Sequence, residues 1–185
     1  DLYLLQQKTT VMAKLIARAA EIENLESIYK SERSEFVIIY GRRRIGKTFL
    51  INQVFEKRFT CKYTGTRGEG QKVQLSRFAK QLQAYSKSKF APQINSWDEA
   101  FELLKTLIDS KKKTERKVIF FDEMPWIDTP KSSFVSALEY FWNSWASTRS
   151  DIMFIACGSA TSWMVNKLLR NRGGLYNRIT AQIYL

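Results

Sequence analysis

The stretch Tyr40–Ile51, YGRRRIGKTFLI, contains the spacing G-x-x-x-x-G-K-[ST] from Gly41 to Thr48. It follows EFVIIY (Glu35–Tyr40), a short β-branched run that suits a strand buried on both faces. It leads into TFLINQVFEKR, where Phe49, Leu50, Val54 and Phe55 share a helical face. A glycine loop between a buried strand and a helix is the setting in which this spacing has mechanical meaning. Backbone N–H groups of the loop and the helix N-terminus converge on an anion, and side chains at the glycines would obstruct it. The segment Gly41, Arg42, Arg43, Arg44, Ile45, Gly46, Lys47, Thr48 and Phe49 is therefore the candidate cradle for a nucleotide's phosphates. Lys47 neutralises the β- and γ-phosphates, and the Thr48 hydroxyl takes one place in an octahedral Mg²⁺ shell. The side chains of Arg42, Arg43 and Arg44 occupy the variable part of the loop. They are open to contact with the nucleotide, with acids of a neighbouring domain or with nucleic acid.

Outward from this loop, strands alternate with helices. Spacing predicts a helix from about Ala20 to Tyr29, a second strand at FTCKYTG (Phe59–Gly65) and a helix with a basic outer face carrying Val73, Leu75, Phe78, Leu82 and Tyr85. Ser96 and Glu99 make a capping-box spacing ahead of Phe101, Leu104, Leu107 and Ile108. KKKTERK (Lys111–Lys117) reads as a solvated connector or an anion-binding patch. VIFFDE, from Val118, is a third buried strand; SSFVSALEYFWNSWAS a helix on Phe134, Leu138, Phe141, Trp142 and Trp145; DIMFIACGS a fourth strand. TSWMVNKLLRN is a helix ending near Gly173 and Gly174, and QIYL a fifth strand. The expectation is one α/β domain, a mostly parallel sheet covered by helices on both faces. DLYLLQQKTTV (residues 1–11) reads as an extension ahead of a domain beginning at Met12 and running to residue 185.

The chemistry concentrates at strand ends. Asp122, closing the third strand, is a candidate to orient Mg²⁺ through its water shell, and Glu123 to polarise an attacking water. The alternation of a strand points the two acids differently, so the roles do not compete. Two acids where a strand leaves the sheet are also common surface features, but open parallel sheets bind ligands at their strand C-termini, where the phosphate loop also lies. After the fourth strand, Ser159 is a candidate to sense the γ-phosphate or hold the water, with Thr161 and Ser162 as substitutes; it equally suits a helix N-cap. Arg178, in GGLYNRIT, either supplies charge to a transferring phosphoryl group, in cis or from a neighbouring subunit of a homo-oligomer, or is an ordinary surface arginine.

Bulk composition narrows the classes further. Without histidine, Ser-His-Asp and Cys-His catalysis and His-containing metal sites are excluded. Two distant cysteines make neither a disulfide framework nor a four-ligand zinc site, and they fit a reducing cytoplasm. No apolar run approaches a membrane span, so no membrane partner is expected. The net charge of +12 suits a polyanionic partner such as DNA or RNA, or a solvated cationic surface. No Asn-Lys-x-Asp segment is present to read guanine, since NKLL (Asn166–Leu169) lacks the acid. A regulator that binds nucleic acid and holds nucleotide structurally, and a kinase passing phosphate to a small molecule, are the competing functions.

Together FVIIYGRRRIGKTFLI, KVIFFDEMPWIDTPKSSFVSALEYFWNSWAS, DIMFIACGSATSWM and GGLYNRIT resemble the prokaryotic AAA+/STAND-type ATPases called archaeal-type ATPases, over nearly all of Leu15–Leu185. The resemblance implies a three-layer P-loop core with strand order 5-1-4-3-2, an ATP and Mg²⁺ site, hydrolysis, and a conformational switch acting on a partner. It implies an adenine-proximal Gly-Arg-Glu box, for which IARAAE (Ile16–Glu21) retains Arg18 and Glu21 without the glycine. Members of the family usually continue into a helical lid and a winged-helix region, which the resemblance does not find in this chain up to Leu185.

Overall fold

The computed structural model describes residues 18–170, 173–175 and 177–185. The proposed extension, the start at Met12 and Asn171 at the end of the expected TSWMVNKLLRN helix lie outside these residues. Five parallel strands form one sheet: β1 (Glu35–Tyr40), β2 (Phe59–Thr64), β3 (Lys117–Asp122), β4 (Ile152–Gly158) and β5 (Ala181–Tyr184). Their order is β5-β1-β4-β3-β2, as the resemblance implied. The apolar run of β1 is explained by its place inside the sheet. Phe36 and Ile38 enter one core, and Val37 and Ile39 the other.

The second core is closed by α1 (Ala19–Tyr29) through Leu25 and by α2 (Lys47–Phe55) through Leu50, Ile51, Val54 and Phe55. Phe49, read as part of that face, instead lies at the surface, and Ile51 packs inward. The first, larger core lies under α3 (Gln71–Ser86), α4 (Trp97–Asp109) and α6 (Phe134–Ser144). Phe36 sits there with its ring centroid 4.9 Å from that of Trp142 and 5.0 Å from that of Phe154. Each such fully buried ring contributes roughly 1.5–3 kcal/mol of transfer free energy. The capping box at α4 is present in altered form. The Ser96 hydroxyl accepts from the Glu99 N–H at 3.2 Å, while the Glu99 carboxylate reaches back to the Asn95 N–H at 2.8 Å.

Two short elements sit at the functional end: α5 (Met124–Ile127) and α7 (Thr161–Trp163), the latter continuing as a π-helical segment, Met164–Leu169. The helix expected over TSWMVNKLLRN is therefore an α-turn running into a π-turn, a geometry frequent at functional sites. At the opposite end, the basic run 111–117 is only partly a connector. Arg116 donates to the carbonyls of Ser31 at 2.7 Å and Arg33 at 2.8 Å, tying strand entrances together. Lys117 is buried inside β3, its ammonium 2.8 Å from the Asp151 carboxylate.

Candidate functional site

β1, β4 and β3 are neighbours, so their C-terminal ends bring together the loop after Tyr40, Ser159 after Gly158, and Asp122. The two glycines of the loop act differently. Gly41 has φ +142, and a Cβ there would collide with the Leu185 carbonyl oxygen, because the chain leaving β5 runs alongside. Gly46 has φ +91 as N-cap of α2, and a Cβ there would meet no protein atom within 4 Å. The space beside Gly46 is the kind an anion can enter. No side chain caps α2, so its first N–H groups remain available to such an anion.

Lys47 is buried, and its ammonium donates to the carbonyls of Gly41 at 3.0 Å and Arg42 at 2.6 Å. The Thr48 hydroxyl donates to Asp122 Oδ2 at 2.8 Å, across 74 residues of sequence. Both groups bring oxygen donors side by side, the ligand type that a hard divalent cation prefers. Among the described residues no cluster of three or more His, Cys, Asp or Glu side chains exists. Two side chains could hold a divalent cation only together with other oxygen ligands such as phosphate and water. Cys157 lies buried beside this carboxylate; burial, and then the charge of Asp122, hold its thiol well above the usual range and keep it neutral.

Asp122 Oδ1 accepts from the Glu123 N–H at 3.0 Å, and Glu123 itself adopts φ +48. A left-handed residue directly after the strand turns the chain and carries the second carboxylate away from the first, at a cost on the order of 1 kcal/mol. Its Oε2 accepts from the Ser159 hydroxyl at 2.9 Å. Ser159 caps no helix. Its hydroxyl oxygen also accepts from Arg43 Nε at 3.2 Å, and the Arg43 guanidinium lies 5.6 Å from the ring centroid of Trp126. Close packing sustains the arrangement: a Cβ on Gly158 would come within 2.8 Å of Pro125 Cδ and 2.7 Å of Met164 Sδ.

Sequence reasoning missed Trp126 and Gln74. The fully buried Gln74 amide donates to the Thr66 carbonyl at 2.7 Å and the Trp126 carbonyl at 3.0 Å, and accepts from the Tyr63 hydroxyl at 2.6 Å. It joins α3 to the segment after Glu123; one of four glutamines in that helix, it carries no sequence signal that sets it apart. Of the other candidates, Arg42, Arg44 and Phe49 are exposed around the loop and Ile45 half-buried. Arg18 is engaged with Glu21 at 2.6 Å. Arg178 occupies an exposed turn ahead of β5. Since Val37 pairs with Ala181 in a parallel register, this turn lies at the strand entrances, the end of the sheet away from the phosphate loop.

Comparison with known proteins bears on the fold and the family. An uncharacterised protein of Methanocaldococcus jannaschii is 28% identical over 169 residues, covering 89% of this chain and 34% of that protein. The chain thus spans about a third of that relative's length. Among solved structures, a Walker-type ATPase of Pyrococcus abyssi superposes with a TM-score of 0.66 at 18% identity, over 90% of this chain and 52% of that one. Drosophila ORC bound to AT-rich DNA and Cdc6 superposes with a TM-score of 0.57 at 11% identity, over 98% of this chain and 57% of that one. At such identities these two likenesses establish the fold, a P-loop α/β sheet. The family described as an ATPase domain predominantly from Archaea matches residues 15–184, and with the loop, strand order and acids in place, this chain belongs to it.

Proposed function

We propose that the chain is an Mg²⁺-dependent ATP-binding and ATP-hydrolysing core of the AAA+/STAND type, a nucleotide-driven switch for a further domain or partner protein. The observation that carries this reading is the contact between Thr48 and Asp122 beside the buried Lys47, which gathers metal-oriented oxygens and a phosphate-directed cation at one loop. Bound Mg·ATP would supply the phosphoryl group and the cation that bridges its oxygens. In this reading Lys47 exchanges its two carbonyl partners for phosphate oxygens, while the N–H groups of α2 hold the β-phosphate. Asp122 keeps the Thr48 hydroxyl oriented. Glu123 Oε1 accepts no hydrogen bond from any described residue and is the base that takes a proton from water, while Oε2 is held by Ser159. Arg178, at the far end of its own sheet, reaches a phosphoryl group only from a neighbouring copy in a homo-oligomer.

The chain Glu123–Ser159–Arg43 spans the ends of β3, β4 and β1, so a change at the loop is felt at the base. That coupling supports a switch. The test is a calorimetric titration with Mg·ATP and Mg·GTP. ATP binds saturably, GTP binds more weakly, and Lys47→Ala abolishes both; no ATP binding by the wild-type chain would overturn the reading.

A further inference from the structure

From Gly70 to Trp97 the chain contains no acidic residue, yet Lys72, Arg77, Lys80, Lys87 and Lys89 fall within it. The first three lie on the exposed side of α3, whose other side is closed by Gln74, Leu75, Phe78, Ala79 and Leu82. Arg77 pairs with Glu69 at 3.4 Å; the four lysines make no ion pair among the described residues. Two open clefts meet at Lys80. One, of about 450 Å³, runs between α3 and β2, an edge strand, and is lined by Lys62, Thr64, Arg77 and Lys80. The other, of about 610 Å³, lies between α3 and residues 91–95 and is lined by Lys72 and Lys80.

At the end of α3, Lys87 takes φ +57 and the turn beyond it is pinned. Gln83 Nε2 donates to the Lys89 carbonyl at 3.1 Å, and the Ser88 hydroxyl to the Phe90 carbonyl at 3.0 Å. This turn presents Phe90 to solvent, 73% exposed, with the Lys89 ammonium 5.6 Å from its ring centroid. Leaving a phenyl ring in water forgoes the free energy of burying it. A held aromatic face among unpaired cations, beside basic clefts, matches one kind of ligand. Phosphates neutralise the lysines, and an unpaired base stacks on the ring. A duplex keeps its base faces stacked inside, and an acidic polypeptide offers charge without a planar face.

We propose that the outer face of α3, with the Lys87–Phe90 turn, binds a single-stranded polynucleotide, its phosphates on Lys72, Arg77 and Lys80 and a base on Phe90. The site is separate from the phosphate loop, so its test needs no ATP and stands or falls apart from the ATPase reading.

Fluorescence anisotropy with labelled oligo(dT), oligo(rU) and a duplex of equal length, over a salt series, measures it. Both single strands should bind saturably and more tightly than the duplex; a gap between DNA and RNA would show whether the 2′-hydroxyl is read. The double variant Lys72→Gln/Lys80→Gln should weaken binding and flatten the slope of log K against log salt by about 1.4, roughly 0.7 for each phosphate that is no longer neutralised. Phe90→Ala should weaken single-strand binding roughly tenfold and leave the slope unchanged. Phe90→Trp should retain affinity, with its indole fluorescence quenched by the strand. The proposal is overturned if neither strand binds at the lowest salt, if the duplex binds as tightly with Phe90→Ala neutral, if polyglutamate competes as well as the strands, or if the lysine variant keeps the wild-type slope. Circular dichroism confirms that these surface variants stay folded.

Discussion

Gly41 and Gly46 bracket one loop and answer to different neighbours. Gly41 is confined by the backbone of Leu185, just past β5, whereas Gly46 faces open space. Gly41→Ala is accordingly expected to lower the melting temperature by several degrees whether or not nucleotide is added, through overpacking and strained φ. Gly46→Ala should cost only about 1 kcal/mol of stability, from its positive φ, but remove most ATP affinity in calorimetry. Arg43 resolves part of what a run of arginines means. One of the run turns back onto Trp126 and Ser159, while Arg42 and Arg44 stay at the surface. If Glu123 is the base, Glu123→Gln should lower kcat by roughly 10²–10⁴ with ATP binding kept. Arg43→Ala, which loosens Ser159 without removing the base, should lower kcat about tenfold with little change in KM. An equal loss in binding would make Arg43 a phosphate ligand instead.

At the scale of elements, the site depends on how closely α5 approaches the end of β4. Gly158→Ala would press Pro125 and Met164 apart, costing about 1–3 kcal/mol in urea unfolding and shifting Glu123 along with α5. The opposite end of the sheet is stapled by charge. Asp151 accepts from Arg149 at 2.8 Å and from the buried Lys117 at 2.8 Å, and these partners, Arg149 first, hold its carboxyl well below the usual carboxylate range. A depressed carboxylate pKa contributes stability that is fully present above the unfolded value, about 3.9, and is lost as pH falls through the folded value. Asp151→Asn should therefore destabilise by about 2–3 kcal/mol at pH 7, less than for a fully enclosed pair because Asp151 is partly exposed. The gap from wild type should close progressively below about pH 4; a gap constant with pH would mean the carboxylate acts through packing alone.

Across the whole molecule, the two cores lie on opposite faces of one sheet, and each holds a cysteine. Burial pushes the Cys61 thiol up to about 12, and Cys157 is raised likewise. Neither should react with a disulfide reagent in native buffer, and both should react in step with global unfolding in urea; early reaction of Cys61 alone would mean that the β2 edge opens first. The alternation of strands and helices, the phosphate loop, the exposed basic side of α3 and the adjacent acids Asp122 and Glu123 were all legible in the chain. Hydrophobic period, glycine placement and residue chemistry are local properties that do not require knowing what lies nearby. That Thr48 and Asp122 share one site was legible, but their direct hydrogen bond and that of Arg43 with Ser159, 74 and 116 residues apart, were not. Neither were the burial of Lys117, the outward turn of Phe49 or the placing of Arg178 at the far end of the sheet. Sequence alone determined the five strands, the longer helices and the place of the glycine loop between β1 and α2. Tertiary structure decided which polar side chains meet, because that depends on strand order and register, and these come from burying two sheet faces at once.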